Sequence, residues 1–189
     1  MNVKNHFILM SYHNTRMNKQ IYSVAQNLSK EALNENRGAF FKSIIGTLNH
    51  ILIGDLVWLT RFSQFSERYT TLHRLSNFPY PKRLDDILYS DFQSLQATRK
   101  EVDSLIGSWL KNDTEEGDFH NQLQYTNSQG VISRRDFGEL ISHLFNHQTH
   151  HRGQITTLFS QMQYDVGPTD FLLEIPDTHT YIYTKSEWP

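Results

Sequence analysis

Apolar residues recur at alternating steps of three and four positions along four stretches of the chain, with polar residues between them. This spacing puts the apolar side chains on one face of a helix and predicts four amphipathic helices. They run from about Asn5 to Leu28, from about Ala39 to Phe65, from Leu84 or Asp85 to about Trp109, and from Ser133 or Asp136 to Gln163. Together they predict an all-α protein, a four-helix bundle, formed as a single domain over residues 1–189.

The segment before the last predicted helix has a different pattern. Leu123, Tyr125 and Val131 alternate with polar residues on either side of the turn-forming run at 127–130. This pattern predicts a short β-hairpin flap before the last long helix. Beyond that helix we expect at most one short strand, at residues 181–183.

The motif His-Gln-Thr-His-His at residues 147–151 carries the strongest chemical signal. His147 and His151 are one helical turn apart, so their side chains point the same way and can bind one cation. Both interrupt an otherwise apolar stripe, which consists of Leu140, Leu144, His147, His151, Ile155, Leu158 and Met162. Buried imidazoles need partners and are costly to charge, so the pair predicts a metal site or a polar pocket. The alternative is two interior histidines with ordinary hydrogen bonds.

Two histidines rarely hold a catalytic metal alone, so a third ligand must come from another element. His50 is favoured, because it lies on a small, polar side of the second predicted helix between Gly46 and Gly54. Glycines there cost helix propensity, which indicates that a ligand or another backbone comes close. His13 is the second candidate for the third ligand. The alternative for His50 is that it is a half-exposed helix residue that binds no metal.

Two further polar residues interrupt the predicted apolar faces. Asp55 falls within the arc of the second helix, where a carboxylate must be paired. It either orients a ligand imidazole or, as we favour, bonds a tyrosine or arginine across an interface. Asn14, in the first stripe, either fixes helix register or faces the pocket.

Residues near the last-helix motif are candidates for supporting roles. His143 and His150 are predicted to be pocket or surface groups rather than ligands. His150 is a candidate for proton transfer, as is Tyr12 if it reaches the pocket. Arg152 is predicted to be a surface charge, with anion binding as the alternative.

Composition excludes several classes of function. A formal net charge of -2, without a long Lys/Arg run, gives no electrostatic footprint for nucleic acid or anionic lipid. The chain has no cysteine, so a thiolate metal site and a cysteine nucleophile are excluded, and any thiol must come from outside. No signal-like start or membrane-spanning apolar run is present, and we expect a cytoplasmic location.

Two motifs resemble those of a known family. They are Thr47-Leu48-Asn49-His50-Ile51-Leu52, followed by Asp55, Trp58 and Arg61, and Asn146-His147-Gln148-Thr149-His150-His151-Arg152-Gly153-Gln154. The chain resembles the DinB family of damage-inducible helical proteins, unrelated to the DNA polymerase of that name, over nearly its whole length. The resemblance implies a four-helix bundle, often dimeric, with a divalent ion such as nickel or zinc on three histidines, here His50, His147 and His151.

Three neutral imidazoles leave the full charge of the ion and at least one coordination position available for chemistry. The ion then either generates hydroxide from water or holds an external thiol as thiolate. The resemblance slightly favours thiol transfer, with a small-molecule substrate and a low-molecular-weight thiol as expected partners. The alternative is a non-catalytic homodimer, with a structural or absent metal, that serves as a binding or stress-response module.

Overall fold

The computed structural model describes residues 2–127 and 129–177. Its α-helices are α1 (Val3–Ala25), α2 (Lys30–Asn34), α3 (Ile44–Phe62), α4 (Phe92–Asn112) and α5 (Phe137–Gln161). Short 3₁₀ helices cover Thr70–Asn77, Glu116–His120 and Phe171–Glu174. The predicted helical fold is confirmed, and its four long helices are α1, α3, α4 and α5. The expected strand at 181–183 lies outside the described residues.

Helix α3 is the most deeply buried element of the bundle. It packs against α4 and α5, while α2 and the 3₁₀ helix Thr70–Asn77 also contact it. Every residue from Ile44 to Leu56 is buried, the polar ones included. Each fully buried Leu or Ile contributes about 1.5–3 kcal/mol to stability. Several packing partners therefore explain why the apolar arc of this helix is so broad.

The boundaries of α1 and α3 differ from the predicted ones. Helix α1 ends at Ala25, three residues before Leu28. Helix α3 begins at Ile44 rather than near Ala39, because the Ser43 side chain accepts a hydrogen bond from the Gly46 amide at 3.1 Å and caps it. The three-four spacing of apolar residues continues beyond the end of the helix, so a prediction from spacing makes the helix too long.

Helix α4 begins at Phe92, well after the predicted start at Leu84 or Asp85. The Asp91 carboxylate accepts a hydrogen bond from the Ser94 amide at 2.8 Å and caps the helix there. The residues before it form a loop that runs along α3.

The loop before α4 is fixed to α3 by one amide side chain. Asn49 donates to the Tyr89 carbonyl at 3.0 Å and accepts from the Tyr89 amide at 3.0 Å. This two-way bond holds the loop against the helix, and the Asn49 amide nitrogen also donates to the Ile45 carbonyl at 2.9 Å. Leu84 is thereby brought beside His50.

The predicted flap is an antiparallel hairpin of β1 (Gln122–Thr126) and β2 (Ile132–Asp136). Leu123 and Tyr125 point inward and are buried, as strand alternation requires. Helix α5 follows at once, capped by Asp136, whereas Ser133, the other predicted start of this helix, lies within β2. Within the described ranges, no helix combines the length and apolarity that crossing a bilayer requires.

Candidate metal centre

The three predicted histidine ligands lie together. Nε2 of His50, on α3, is 3.1 Å from Nε2 of His147 and 3.1 Å from Nε2 of His151, both on α5. His50 and His151 are buried and His147 is half-buried. The ligand atoms of these three side chains all lie within 4.8 Å of one another, and no other group of three or more histidine or acidic side chains does so among the described residues. We call these three side chains the histidine triad.

Gly54 makes room for the triad. It lies one helical turn after His50 on α3, on the same face. A Cβ atom at this position would be 2.7 Å from Cε1 of His147, closer than packed atoms come. The indication from sequence that something approaches this glycine is therefore correct, and the approaching group is an imidazole ring.

Hydrogen bonds fix the tautomers of two triad members. Nδ1 of His50 donates to the Leu84 carbonyl at 2.8 Å, and Nδ1 of His151 donates to Oε1 of Gln154 at 2.9 Å. With Nδ1 protonated, each of these neutral rings presents an unprotonated Nε2 to the centre. Nδ1 of His147 is buried without a hydrogen-bond partner among the described residues.

Burial keeps all three imidazoles neutral. It lowers the pKa of His50 and of His151 below the ordinary value of 6.5. It lowers the pKa of His147 to about 3, with the neighbouring His151 and His50 adding to the effect. Neutral imidazole is the form that binds metal, so no proton has to be displaced near neutral pH.

The donor set fits a divalent transition-metal ion. Nε2 of His50 and Nε2 of His151 are both unprotonated, so two lone pairs face each other at 3.1 Å with no proton between them. A proton on Nε2 of His147 would form a hydrogen bond to only one of these two atoms. A cation relieves that repulsion. Nitrogens bound about 2.1 Å from one ion are separated by about 3.0–3.4 Å at angles near 90–109°. The observed 3.1 Å separations therefore suit one ion shared by the triad.

An aromatic ring covers the triad on one side. The ring of Phe41 stacks on His50 with centroids 3.7 Å apart and meets His151 edge-on at 5.5 Å. Neither Phe41 nor the Leu84 carbonyl was indicated by the sequence, because both belong to irregular segments whose course periodicity does not give. Gln154, three residues after His151 on the same helix, could have been identified from helical spacing.

Two clefts reach the triad. The first has a volume of about 580 Å³ and includes His50, His147, His143, Trp58 and Arg61 in its lining. The second has a volume of about 670 Å³. Its lining consists of Phe40, Phe41, His50, Arg83, Leu84, Asp85, His150, His151 and Gln154. Both therefore share His50, Arg83 and Leu84.

The structure places the two other histidines of α5 in different clefts. His143 is exposed in the first cleft, where its ring meets Trp58 edge-on at 5.1 Å and lies 6.1 Å from His147. His150 is exposed in the second cleft, with its ring 4.8 Å from that of His151. Neither belongs to the triad.

Tyr12 and His13 lie on α1, away from both clefts. Tyr12 is exposed and borders a groove between α1 and α4. His13, the runner-up ligand, instead has Nδ1 3.2 Å from Oε2 of Glu174, which also accepts from Arg16 Nε through Oε1 at 2.5 Å. This contact fixes the 3₁₀ helix Phe171–Glu174 to α1. A role for Tyr12 in proton transfer requires that its side chain reach the pocket. It does not reach either cleft.

Asn14, Asp55 and Arg152, the candidate pocket or supporting residues, belong to a buried polar network. Asp55 bonds Arg99, whose NH2 is 2.9 Å from Oδ1 of Asp103. Asn14 donates to the same Asp103 oxygen at 3.1 Å and accepts from Arg152. The network joins all four long helices. Its side chains point into the interior of the bundle, so they do not line the two clefts.

Arg152 is the clearest error of the sequence prediction. It was expected at the surface, yet it is 3% exposed. It bonds Asn14, Gln148 and Thr149, and Asp103 supplies a nearby opposite charge. Asp55 shows the favoured of its two expected roles: its partner is an arginine, and no ligand imidazole bonds it among the described residues.

The fold and the triad define a helical-bundle protein with three histidines able to hold a metal ion. The sequence model of the DinB family matches residues 1–183, and the chain therefore belongs to the DinB family. Protein DinB of Bacillus subtilis (strain 168) is 29% identical over 182 residues, covering 92% of this chain and 95% of that relative. No solved structure matches the chain.

Proposed function

We propose that this protein is a divalent-metal-dependent enzyme that transfers a small external thiol to an electrophilic small molecule. The observation that carries the proposal is the convergence of three neutral imidazole nitrogens at a point reached from two clefts. Within the described part of the chain no carboxylate joins them, and the sequence has no cysteine. Three ligands leave room for a substrate atom.

His50, His147 and His151 would hold a nickel or zinc ion through their Nε2 atoms. When bound, such an ion supplies Lewis acidity and lowers the pKa of a coordinated thiol or water. The Leu84 carbonyl and the Gln154 side chain orient two of the rings. Such outer partners raise the basicity of the ligands and keep the rings in place.

The two clefts favour transfer over hydrolysis. Hydrolysis needs space for one substrate and a water molecule, whereas transfer needs space for two substrates that meet. Here cavities of about 580 Å³ and 670 Å³ share His50, Arg83 and Leu84 and have otherwise different walls. Each is large enough for a small organic molecule.

His150 is assigned the proton-accepting role. It lies in the second cleft beside His151, and its Nε2 accepts only a weak bond from Gln154 Nε2 at 3.3 Å. In the reaction, the thiol sulfur forms a bond to the electrophilic carbon and the leaving group departs with the bonding pair. The thiol proton passes to His150 and then to water.

The test begins with elemental analysis of the protein purified without chelator. Metal-free protein is then reloaded with nickel or zinc and assayed with cysteine as the thiol and an aryl halide as the electrophile, with His147→Ala as the unloaded control. Metal-dependent thioether formation supports the proposal. Metal-dependent ester hydrolysis alone would indicate the water-activating enzyme. A tightly held metal with neither activity, in a stable dimer, would indicate the non-catalytic scaffold.

A further inference from the structure

The first cleft has an unbalanced charge. Among the described residues that line it, Arg61, Lys82 and Arg83 are cationic and none is acidic. Arg83 already forms a bond through its Nε to Oδ1 of Asp85 at 2.8 Å. The side chain of Lys82 is exposed. Arg61, which is half-buried, is therefore the cation that is built into the wall.

Arg61 is held in place by aromatic rings rather than by an acid. Its guanidinium carbon lies 4.6 Å from the ring centroid of Trp58 and 4.9 Å from that of Tyr125. Within residues 2–127 and 129–177, its guanidinium has no ion pair or hydrogen bond to another side chain. Ring stacking orients a guanidinium while leaving its N–H donors free for a planar anion. Tyr125 belongs to β1, so the hairpin flap supports this arginine.

The arginine lies on the same face of α3 as the triad. His50 and Arg61 are eleven residues apart, which is close to three full turns and about 16 Å of helix rise. The side chain leans toward the helix N-terminus and so toward the triad. Trp58 meets His143 edge-on, and His143 lies 6.1 Å from His147, so the wall between the two ends is continuous.

We propose that Arg61 binds a carboxylate at the far end of the substrate that occupies the first cleft. The substrate class is therefore an extended small molecule whose reacting group is separated from a carboxylate by roughly 10 Å, the helix rise over the seven residues from Gly54, which the His147 ring contacts, to Arg61. Its middle part contacts the apolar surface of Val57, Trp58 and Leu84. This inference rests on the proposed function only for the reacting end, because the carboxylate site exists without a metal.

The test uses simple acids as probes. Linear dicarboxylates from succinate to sebacate, with heptanoate as the monocarboxylate, are titrated into nickel-loaded and metal-free full-length protein, and binding is followed by calorimetry and by the indole NMR signal of Trp58. We expect the loaded protein to prefer one of the longer dicarboxylates. Arg61→Gln should weaken binding of that acid about tenfold or more and remove the length preference, whereas Arg61→Lys should retain part of the affinity. The control is Arg74→Gln, an exposed arginine on the 3₁₀ helix Thr70–Asn77, which should bind like the wild type.

Metal content separates this inference from the proposed function. Arg61→Gln should hold as much nickel as the wild type by elemental analysis. If the wild type binds no metal, the proposed function fails, and heptanoate binding to the metal-free protein still decides the role of Arg61. Unchanged acid affinity in Arg61→Gln, with or without metal, would overturn the carboxylate site.

Discussion

The ring of His147 occupies the space that a side chain at Gly54 would take. The Cβ of an alanine at position 54 would lie 2.7 Å from Cε1 of that ring and 3.1 Å from its Nδ1. The contact joins α3 to α5 at the level of the triad. The smallest residue of one helix thus sets the position of a candidate ligand on another.

Gly54→Ala should displace His147 and weaken metal binding at least tenfold. Gly153→Ala is the matched control, because it is also a helix-interior glycine but a Cβ there meets no atom within 4 Å. The control should be stabilised by up to about 1 kcal/mol, since alanine is the better helix former, and should keep its metal. Metal affinity is measured by competition with a chromophoric chelator and stability by urea unfolding. Equal metal affinity in both variants would contradict the close contact.

Removal of any one triad imidazole should abolish stoichiometric metal binding. His50→Ala, His147→Ala and His151→Ala each leave two nitrogens, too few for a stable site of this kind. The helical circular dichroism spectrum should persist, because the core does not depend on these rings. His143→Ala, in the same cleft but outside the triad, should retain about one metal per chain by elemental analysis. Full metal content in any of the three triad variants would rule out this assignment.

Asp55→Ala should destabilise the protein by about 3–5 kcal/mol, because it leaves the buried Arg99 without one of its two acids. The control is Asp85→Ala, which breaks an exposed ion pair with Arg83 and should cost less than about 1 kcal/mol. Urea unfolding at neutral pH measures both variants. A loss in Asp55→Ala no larger than that of the control would mean that the buried network contributes little to stability.

Glu174 should make part of the stability sensitive to acid. The hydrogen bond from Arg16 holds the pKa of Glu174 below its usual 4.5. Its contribution is therefore present above the unfolded value and is lost as the pH falls through the lower folded value. The free energy of unfolding should fall more between about pH 5 and about pH 3 in the wild type than in Glu174→Gln. Glu67→Gln, at an exposed glutamate, should follow the wild type; identical slopes in all three proteins would argue against the contact.

Spacing along the chain was sufficient to predict two of the three members of the triad. His147 and His151 share a helix, so their four-residue separation alone places them side by side. His50 required a second argument, from the small and polar side of α3. The Leu84 carbonyl could not be predicted, because its position depends on a loop held by Asn49 and Tyr89.

Sequence reasoning predicted only one part of the buried network, the pairing of Asp55 with an arginine or tyrosine, and missed the rest for a different reason. Arg99 and Asp103 are four residues apart, which on a single helix is also typical of a solvent-exposed ion pair. Arg152 directly follows His151, and nothing in the sequence indicates which helix its side chain faces. Burial emerges only when Asn14 of α1 and Asp55 of α3 converge on the same point, and no local pattern encodes that convergence.

The same network has a further consequence for the two helices that carry the triad. Asp55 lies five residues after His50, and Arg152 lies directly after His151, so both helices are anchored close to their histidines. Sliding either helix by one turn, about 5.4 Å, would strand a charge in the apolar interior. The position along the two helices at which the imidazoles meet is thus set by buried groups that line neither cleft. The rim of the clefts is free to diversify while that alignment persists, and new specificities can arise there without rebuilding the scaffold.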